Sequence, residues 1–258
     1  MKRTTLTTLA AAVLCGLLVA GPSRAELSAK ANHDHITVDF LYHGSSVSVR
    51  GIADPGVDLI IKIASADGHE TLKEKGKKAG LLWMNVGSLT FENAPKVYEV
   101  FSTRPSRELL SAEEADRYVL GYAALSRHVE VGPLASEQER AKWFAEFLKF
   151  KEASNLYART TGQITFAEKN GKREYYINTP WPYQAPPGNY VATVYAVQDG
   201  KVVETAESGV LVEQVGSIKY LASLAKNQAA LYGLLSIMAA LGAGFGVGLV
   251  FRKGGGAH

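Results

Sequence analysis

Residues 229–251 read AALYGLLSIMAALGAGFGVGLVF, 23 positions without a charged side chain. As a helix rising 1.5 Å per residue, the stretch is roughly 34 Å long, enough to cross a bilayer core with modest tilt. A water-soluble fold would have to bury it on every side. Lys226 before it and Arg252-Lys253 after it instead supply the charged brackets of a membrane span. Within the span, glycine stands at every second position from Gly242 to Gly248. Gly242/Gly246 and Gly244/Gly248 each form a small-xxx-small pair, and the two pairs lie about 200° apart at ~100° per residue. Small residues let helix backbones approach closely. The spacing therefore predicts a helix that packs against an integral membrane protein or a second copy of itself.

The opposite end predicts export. Residues 1–25 carry Lys2 and Arg3, an apolar run from Leu6 to Ala20, and then Pro22-Ser23-Arg24-Ala25. Small residues at Ser23 and Ala25 fit a signal-peptidase site, with cleavage after Ala25. The apolar run is short for a second span. Cys15, the one cysteine of the chain, lies inside it, so the mature chain has neither a disulfide nor a thiolate site. Residues 26–216 are then expected outside the cytoplasm, 217–228 as a juxtamembrane helix, 229–251 as the span, and 252–258 as a cytoplasmic tail. The basic pair Arg252-Lys253 on the inner side obeys the positive-inside bias. This is a single-pass type I arrangement, placed in the bacterial inner membrane with the domain in the periplasm.

Charge argues against a nucleic-acid partner. The full chain has 28 basic and 25 acidic side chains. The signal removes Lys2, Arg3 and Arg24 and no acid, leaving 25 against 25. The excess of Lys and Arg that marks nucleic-acid binders is missing.

The exported part reads as mainly β. HITVDFLY alternates with period two, and SVSVRG continues after a turn at Gly44. VDLIIKIAS is a continuous apolar run bounded by turn residues, the pattern of a strand covered on both faces. AGLLWMNVG and KVYEVFST follow as strands separated by Asn-Ala-Pro. A two-helix insertion at about 107–157 interrupts them. Ser111 with Glu114, and Ser136 with Glu139, have capping-box spacing. The first helix is expected from Ala112 to about Ser126 and the second from about Glu137 to Tyr157. Trp143, Phe144, Phe147, Leu148 and Lys151 share helical spacing on the second helix, a stripe read as core or docking surface. Hairpins with turns at Asn170-Gly171 and Asp199-Gly200 complete the pattern. The expectation is an immunoglobulin-like β-sandwich split by a helical insertion, with two small domains as the alternative, followed by the membrane helix.

A set of residues across most of the mature chain carries a resemblance. Lys77, Lys78 and Gly80 precede Trp83 and Asn85; Tyr98 leads to Ser102, Arg104 and Pro105; Pro187, Gly188 and Tyr190 open a late hairpin. This pattern resembles the bacterial family of putative transmembrane proteins described mainly from alphaproteobacteria. The resemblance implies an exported domain with one C-terminal span and no established activity. Members often lie beside membrane exporter genes, sulfite exporter-like ones among them, which points to an accessory role. The start NHDHITVDFLYHG departs from the family pattern.

Two stretches are candidates for binding. His33 and His35 share a face in extended chain, and His43 could approach through a turn; imidazoles beside Asp34 suit Cu or Zn. Lys73, Lys75, Lys77 and Lys78 flank Gly76, read as a turn, and with Arg104 and Arg107 they offer a basic patch for an anion or for membrane lipid. The competing reading is a charged hairpin that discourages edge pairing. No Gly-x-Ser-x-Gly elbow, phosphate loop, dinucleotide fingerprint or metalloprotease helix is present in the sequence, so no catalytic residue is assigned and no resident cofactor is expected. These observations imply a non-catalytic accessory or scaffold protein of the bacterial envelope, serving a transporter or complex. The alternative is a periplasmic metal- or anion-binding domain serving a transporter.

Overall fold

Along residues 172–180, Tyr175, Ile177 and Thr179 are buried while Tyr176, Asn178 and Pro180 face solvent. This is the period-two alternation of a strand with one wet face. The computed structural model describes residues 27–252, apart from 33–34, 40–41, 43, 79–80, 135 and 170–171. The expected signal segment, His33, His43, the turn expected at Asn170-Gly171 and the tail beyond Arg252 lie outside the described residues.

The first half contains β1 (Lys30–Ala31), β2 (His35–Val38), β3 (Ser46–Ala53), β4 (Asp58–Ser65), β5 (Asp67–Lys78), β6 (Leu82–Pro95) and β7 (Tyr98–Ser102). Helices α1 (Ser106–Leu109), α2 (Ala112–Arg117) and α3 (Tyr122–His128), strand β8 (Glu130–Gly132) and helix α4 (Glu137–Ala153) form the insertion. Then come β9 (Tyr157–Thr161), β10 (Thr165–Lys169), β11 (Lys172–Pro180), β12 (Gly188–Gln198) and β13 (Lys201–Gln214), followed by α5 (Gly216–Asn227) and α6 (Ala229–Arg252). The chain is mainly β, as its patterning predicts.

A six-stranded sheet in the order β2-β13-β12-β4-β7-β9 faces a four-stranded sheet in the order β1-β3-β11-β10. Leu59, Ile61 and Ile63 of β4 are fully buried, as is Val194 of β12. Thr179 of β11 donates to Glu99 of β7 across the gap, which places these strands face to face. The other face of the six-stranded sheet is covered by the insertion. Lys62 of β4 donates to the Tyr118 carbonyl at 2.7 Å, and Tyr118 packs on Tyr195 with ring centroids 5.3 Å apart. β4 is thus covered on both sides, which is why it reads as an unbroken apolar run.

The insertion departs from the expected pair of helices. Ser111 and Ser136 do cap, accepting from the backbone N–H groups of Glu114 and Glu139 at 3.2 Å each. The helix expected from Ala112 to Ser126, however, divides into α2 and α3. Val119 and Gly121 adopt φ of 49° and 92°, and the Tyr98 hydroxyl holds the break by donating to the Val119 carbonyl and accepting from the Gly121 N–H, both at 2.8 Å. The second helix stops at Ala153, and Tyr157 starts β9 instead of ending the helix. Its stripe is packed: Phe144, Phe147 and Lys151 are buried, with Phe147 stacked on Phe91 of β6 at 4.3 Å. Two of the pairings, β13 with β2 and β7 with β9, are parallel; nothing in the alternation of single strands distinguishes them from antiparallel ones.

Candidate functional site

β5 and β6 form a hairpin that leaves the sandwich after β4. Its root is anchored. Leu89 and Phe91 are buried, and Thr90–Glu92 of β6 pair with β8. Glu70 binds Lys151 of α4, and Asp67 lies 2.7 Å from the His128 Nε2. Beyond Leu89 the arm stands free, with residues 81–88 all exposed. Leu82 lies seven positions before Leu89, about 23 Å at ~3.3 Å per residue.

The arm sorts its side chains. Lys73, Lys75 and Lys77 alternate along one face of β5, and Lys77 sits opposite Trp83, its Nζ 5.5 Å from the indole centroid. On the other face Gly76 sits opposite Met84, and the backbone of Lys78 pairs with Leu82. Leu81, Leu82, Trp83 and Met84 are 86%, 67%, 67% and 47% exposed. Gly76 is a mid-strand residue, not the turn its neighbours suggest. The register slips between Glu74 and Lys75, and a Cβ at Gly76 would lie 2.8 Å from Val86 Cγ2. Glycine here makes room for the bulged partner strand. The chain reverses between Lys78 and Leu82, and β6 runs through Asn-Ala-Pro to Pro95 instead of stopping before it.

The arm does not include Arg104. That residue follows β7 at the far end of β4, where its guanidinium donates to both carboxylate oxygens of Asp58, one of them at 2.5 Å. Thr103 donates to the same carboxylate at 2.7 Å. The Arg104 hydrogen bond holds the Asp58 carboxyl below its ordinary pKa, against the opposing effect of partial burial. Lys73, Lys75 and Lys77 are therefore brought together and Arg104 is set apart, because β4 and β7 run antiparallel between the two groups.

Of the three histidines proposed for Cu or Zn, the described residues include His35 alone. Its Nε2 lies 3.4 Å from Glu213 at the end of β13. Glu213 also accepts from Lys219 at 2.5 Å, and this hydrogen bond is the main cause of its lowered pKa. Among the described residues no group of three or more His, Cys, Asp or Glu side chains converges as a metal ligand set.

A cavity of about 320 Å³ opens between the six-stranded sheet and the insertion, lined by Lys62, Asp67, Tyr98, His128, Thr193 and Glu207 among others. Burial lowers the Lys62 pKa, but its ammonium is engaged by the Tyr118 carbonyl. Glu207 accepts from Thr193 at 3.2 Å, and Asp67 is paired with His128. Lys62 and Asp67 brace the insertion against the sheet and the root of β5, while Thr193 and Glu207 join two strands of the sheet. Sequence patterning missed the pairings of Lys62 with Tyr118 and of Asp67 with His128 because they join residues 56 and 61 positions apart.

At the C-terminus, β13 leads into α5 and then α6. Ala229–Leu249 is long and apolar enough to cross a membrane and is entirely unburied. A Cβ added at Gly242, Gly244, Gly246 or Gly248 would meet nothing within 4 Å. Ala240, Leu241, Gly244, Phe245, Gly248 and Leu249 line a shallow groove of about 400 Å³. Both glycine faces are open to a neighbour.

No curated protein and no solved structure matches the chain. Residues 26–253 match one family, whose printed description is "Putative transmembrane protein (Alph_Pro_TM)". The match runs from the strands of the sandwich through the insertion to the apolar helix, and on that ground the chain belongs to the Alph_Pro_TM family of putative transmembrane proteins.

Proposed function

We propose that this protein is a membrane-anchored, non-catalytic accessory or scaffold protein of the bacterial envelope. Its β-rich domain stands on the periplasmic side of the inner membrane, and α6 packs against an integral membrane transporter or complex, or against a second copy. The observation that carries this reading is α6 itself, an unburied apolar helix with two open glycine faces, joined to the sandwich through α5. The family match supports it by beginning at Glu26, the residue after the expected cleavage site. The positive-inside bias of Arg252-Lys253 supports the orientation.

Orientation is tested with a reporter active only outside the cytoplasm. It is expected to work when fused after Gly216 and to fail when fused after His258; the reverse pattern refutes the reading. The helix contact is tested by co-purification from mild detergent. Gly242→Leu/Gly246→Leu and Gly244→Leu/Gly248→Leu are each expected to insert normally and to lose a membrane protein or dimer that the native chain retains, since leucine holds the neighbouring backbone away. If both double variants keep every native contact, α6 is an anchor alone.

A further inference from the structure

We propose that the tip of the β5–β6 arm is a second membrane contact, one that seats Leu81, Leu82, Trp83 and Met84 in the headgroup region of an anionic bilayer. The inference rests on the membrane anchoring proposed above and adds a lipid-binding element outside the span.

The topology gives the first argument. β12 runs antiparallel to both of its neighbours, β4 and β13, so β4 and β13 point the same way and end at the same end of the sheet. The arm springs from the end of β4, and α5 with α6 springs from the end of β13. One strand separates the two exits, which at ~4.8 Å between neighbouring strands is about 10 Å. The root of the arm therefore lies at the end of the sandwich from which the chain departs for the membrane, and the free part of the arm is about 23 Å long. The intervening helix α5 exposes Tyr220 and Leu221 beside Lys219, the residue types that settle at a membrane–water interface.

The chemistry of the arm gives the second argument. Residues 73–88 contain four lysines and one glutamate. The described Lys73, Lys75 and Lys77 lie along one face of β5, and the apolar residues are gathered at the tip. A soluble edge hairpin is kept monomeric by charge along its length, which explains the lysines and leaves Leu81, Leu82 and Met84 unexplained. An anionic bilayer accounts for both groups. Apolar side chains enter below the headgroups, an indole sits at headgroup level, and ammonium groups on flexible stems reach the lipid phosphates. The cation–π contact of Lys77 with Trp83 holds a charge and an indole at one level of the arm. A docking site on a protein would gain little from lysines, which are depleted in the cores of protein interfaces.

The test uses the full chain reconstituted into vesicles of phosphatidylcholine alone or of equimolar phosphatidylcholine and phosphatidylglycerol, each containing a lipid brominated near the headgroup. Trp181 is buried and Trp143 partly so, so Trp83→Phe isolates the emission of the tip. Bromolipid is expected to quench a component of the native emission that Trp83→Phe lacks. That component should be larger in the anionic vesicles, shrink in high salt, and vanish in Lys73→Glu/Lys75→Glu/Lys77→Glu. Equal quenching of the native chain and Trp83→Phe overturns the proposal. So does a photo-crosslinker at position 83 that captures a protein while lipid quenching is absent. If the reporter fusions report the expected orientation and quenching is absent, the arm proposal alone fails; if they report the opposite orientation, the functional reading fails independently.

Discussion

Glu70→Ala is expected to destabilise the folded domain by about 3 kcal/mol, the lower end of the cost of removing one partner from a buried ion pair. Lys151 is 2% exposed on α4, and its ammonium binds Glu70 of β5. Around that contact the Nζ lies 5.3 Å from the Phe147 ring centroid and 5.5 Å from that of Tyr157. Aromatic faces attract a cation but cannot replace a carboxylate as hydrogen-bond acceptor, so removing Glu70 leaves a buried charge without its counterion. The Glu70 side chain is 28% exposed, which is why the lower end of the range applies: water reaches its side of the pair. The double variant Glu70→Gln/Lys151→Met is expected to recover most of the loss, because an apolar side chain of similar length fills the space without a charge to desolvate. Denaturant unfolding of native, single and double variants in detergent micelles measures both effects. A near-neutral Glu70→Ala would mean that the pair does not tie the arm's root to α4.

The second large effect is a pH dependence centred on Glu99. This residue of β7 faces the gap between the two sheets and is 3% exposed. Burial pushes its pKa from the ordinary 4.5 to about 7, partly offset by the hydrogen bond from Thr179. Below the unfolded value the carboxyl is protonated in both states and carries no penalty. Between that value and about 7, the folded protein holds a proton that the unfolded chain has released, so stability falls as pH rises. Above about 7 the carboxylate is ionised in both states and the full penalty applies, roughly 3 kcal/mol for a shift of this size. Glu99→Gln keeps an acceptor for Thr179 and has nothing to ionise. The native protein is expected to lose about 3 kcal/mol more stability than Glu99→Gln between pH 4.5 and pH 8, read from unfolding midpoints of the two proteins across that interval. Parallel curves would place the ionised carboxylate in contact with water.

Both predictions depend on residues whose roles are set by distant neighbours, and the same division runs through the molecule. The amino-acid sequence by itself determined what short-range periodicity and composition control. The apolar run at 229–251 became α6, Ala229–Arg252, because a span is specified by length and the lack of charge. Ser111 and Ser136 became helix caps because the cap and its donor lie three residues apart. Asp199-Gly200 became the β12–β13 turn, with φ of 51° and 78°, because the two-residue loop demands positive φ from its own residues. The continuous run of β4 announced a strand buried on both sides.

The tertiary structure decided the rest. Gly76 is chemically a turn residue, yet its pairing with Met84 keeps it inside β5, where a Cβ would collide with Val86, and only then does the arm reach far enough to carry Trp83 away from the core. The sequence groups Arg104 with the lysines as one basic patch, but the antiparallel course of β4 and β7 delivers it to Asp58 at the other end. Val119 and Gly121 break a helix because the Tyr98 hydroxyl, more than twenty residues upstream, satisfies the backbone groups at the break. Lys151 lies on the aromatic stripe that helical spacing marks as core or docking surface, and Glu99 lies on an apolar strand; the pattern does not say which partner meets either charge. Their burial follows from Glu70 and Thr179 arriving from 81 and 80 residues away. Periodicity reports which face of an element is apolar, whereas partner, register and the fate of a buried charge depend on which elements the folded chain brings alongside.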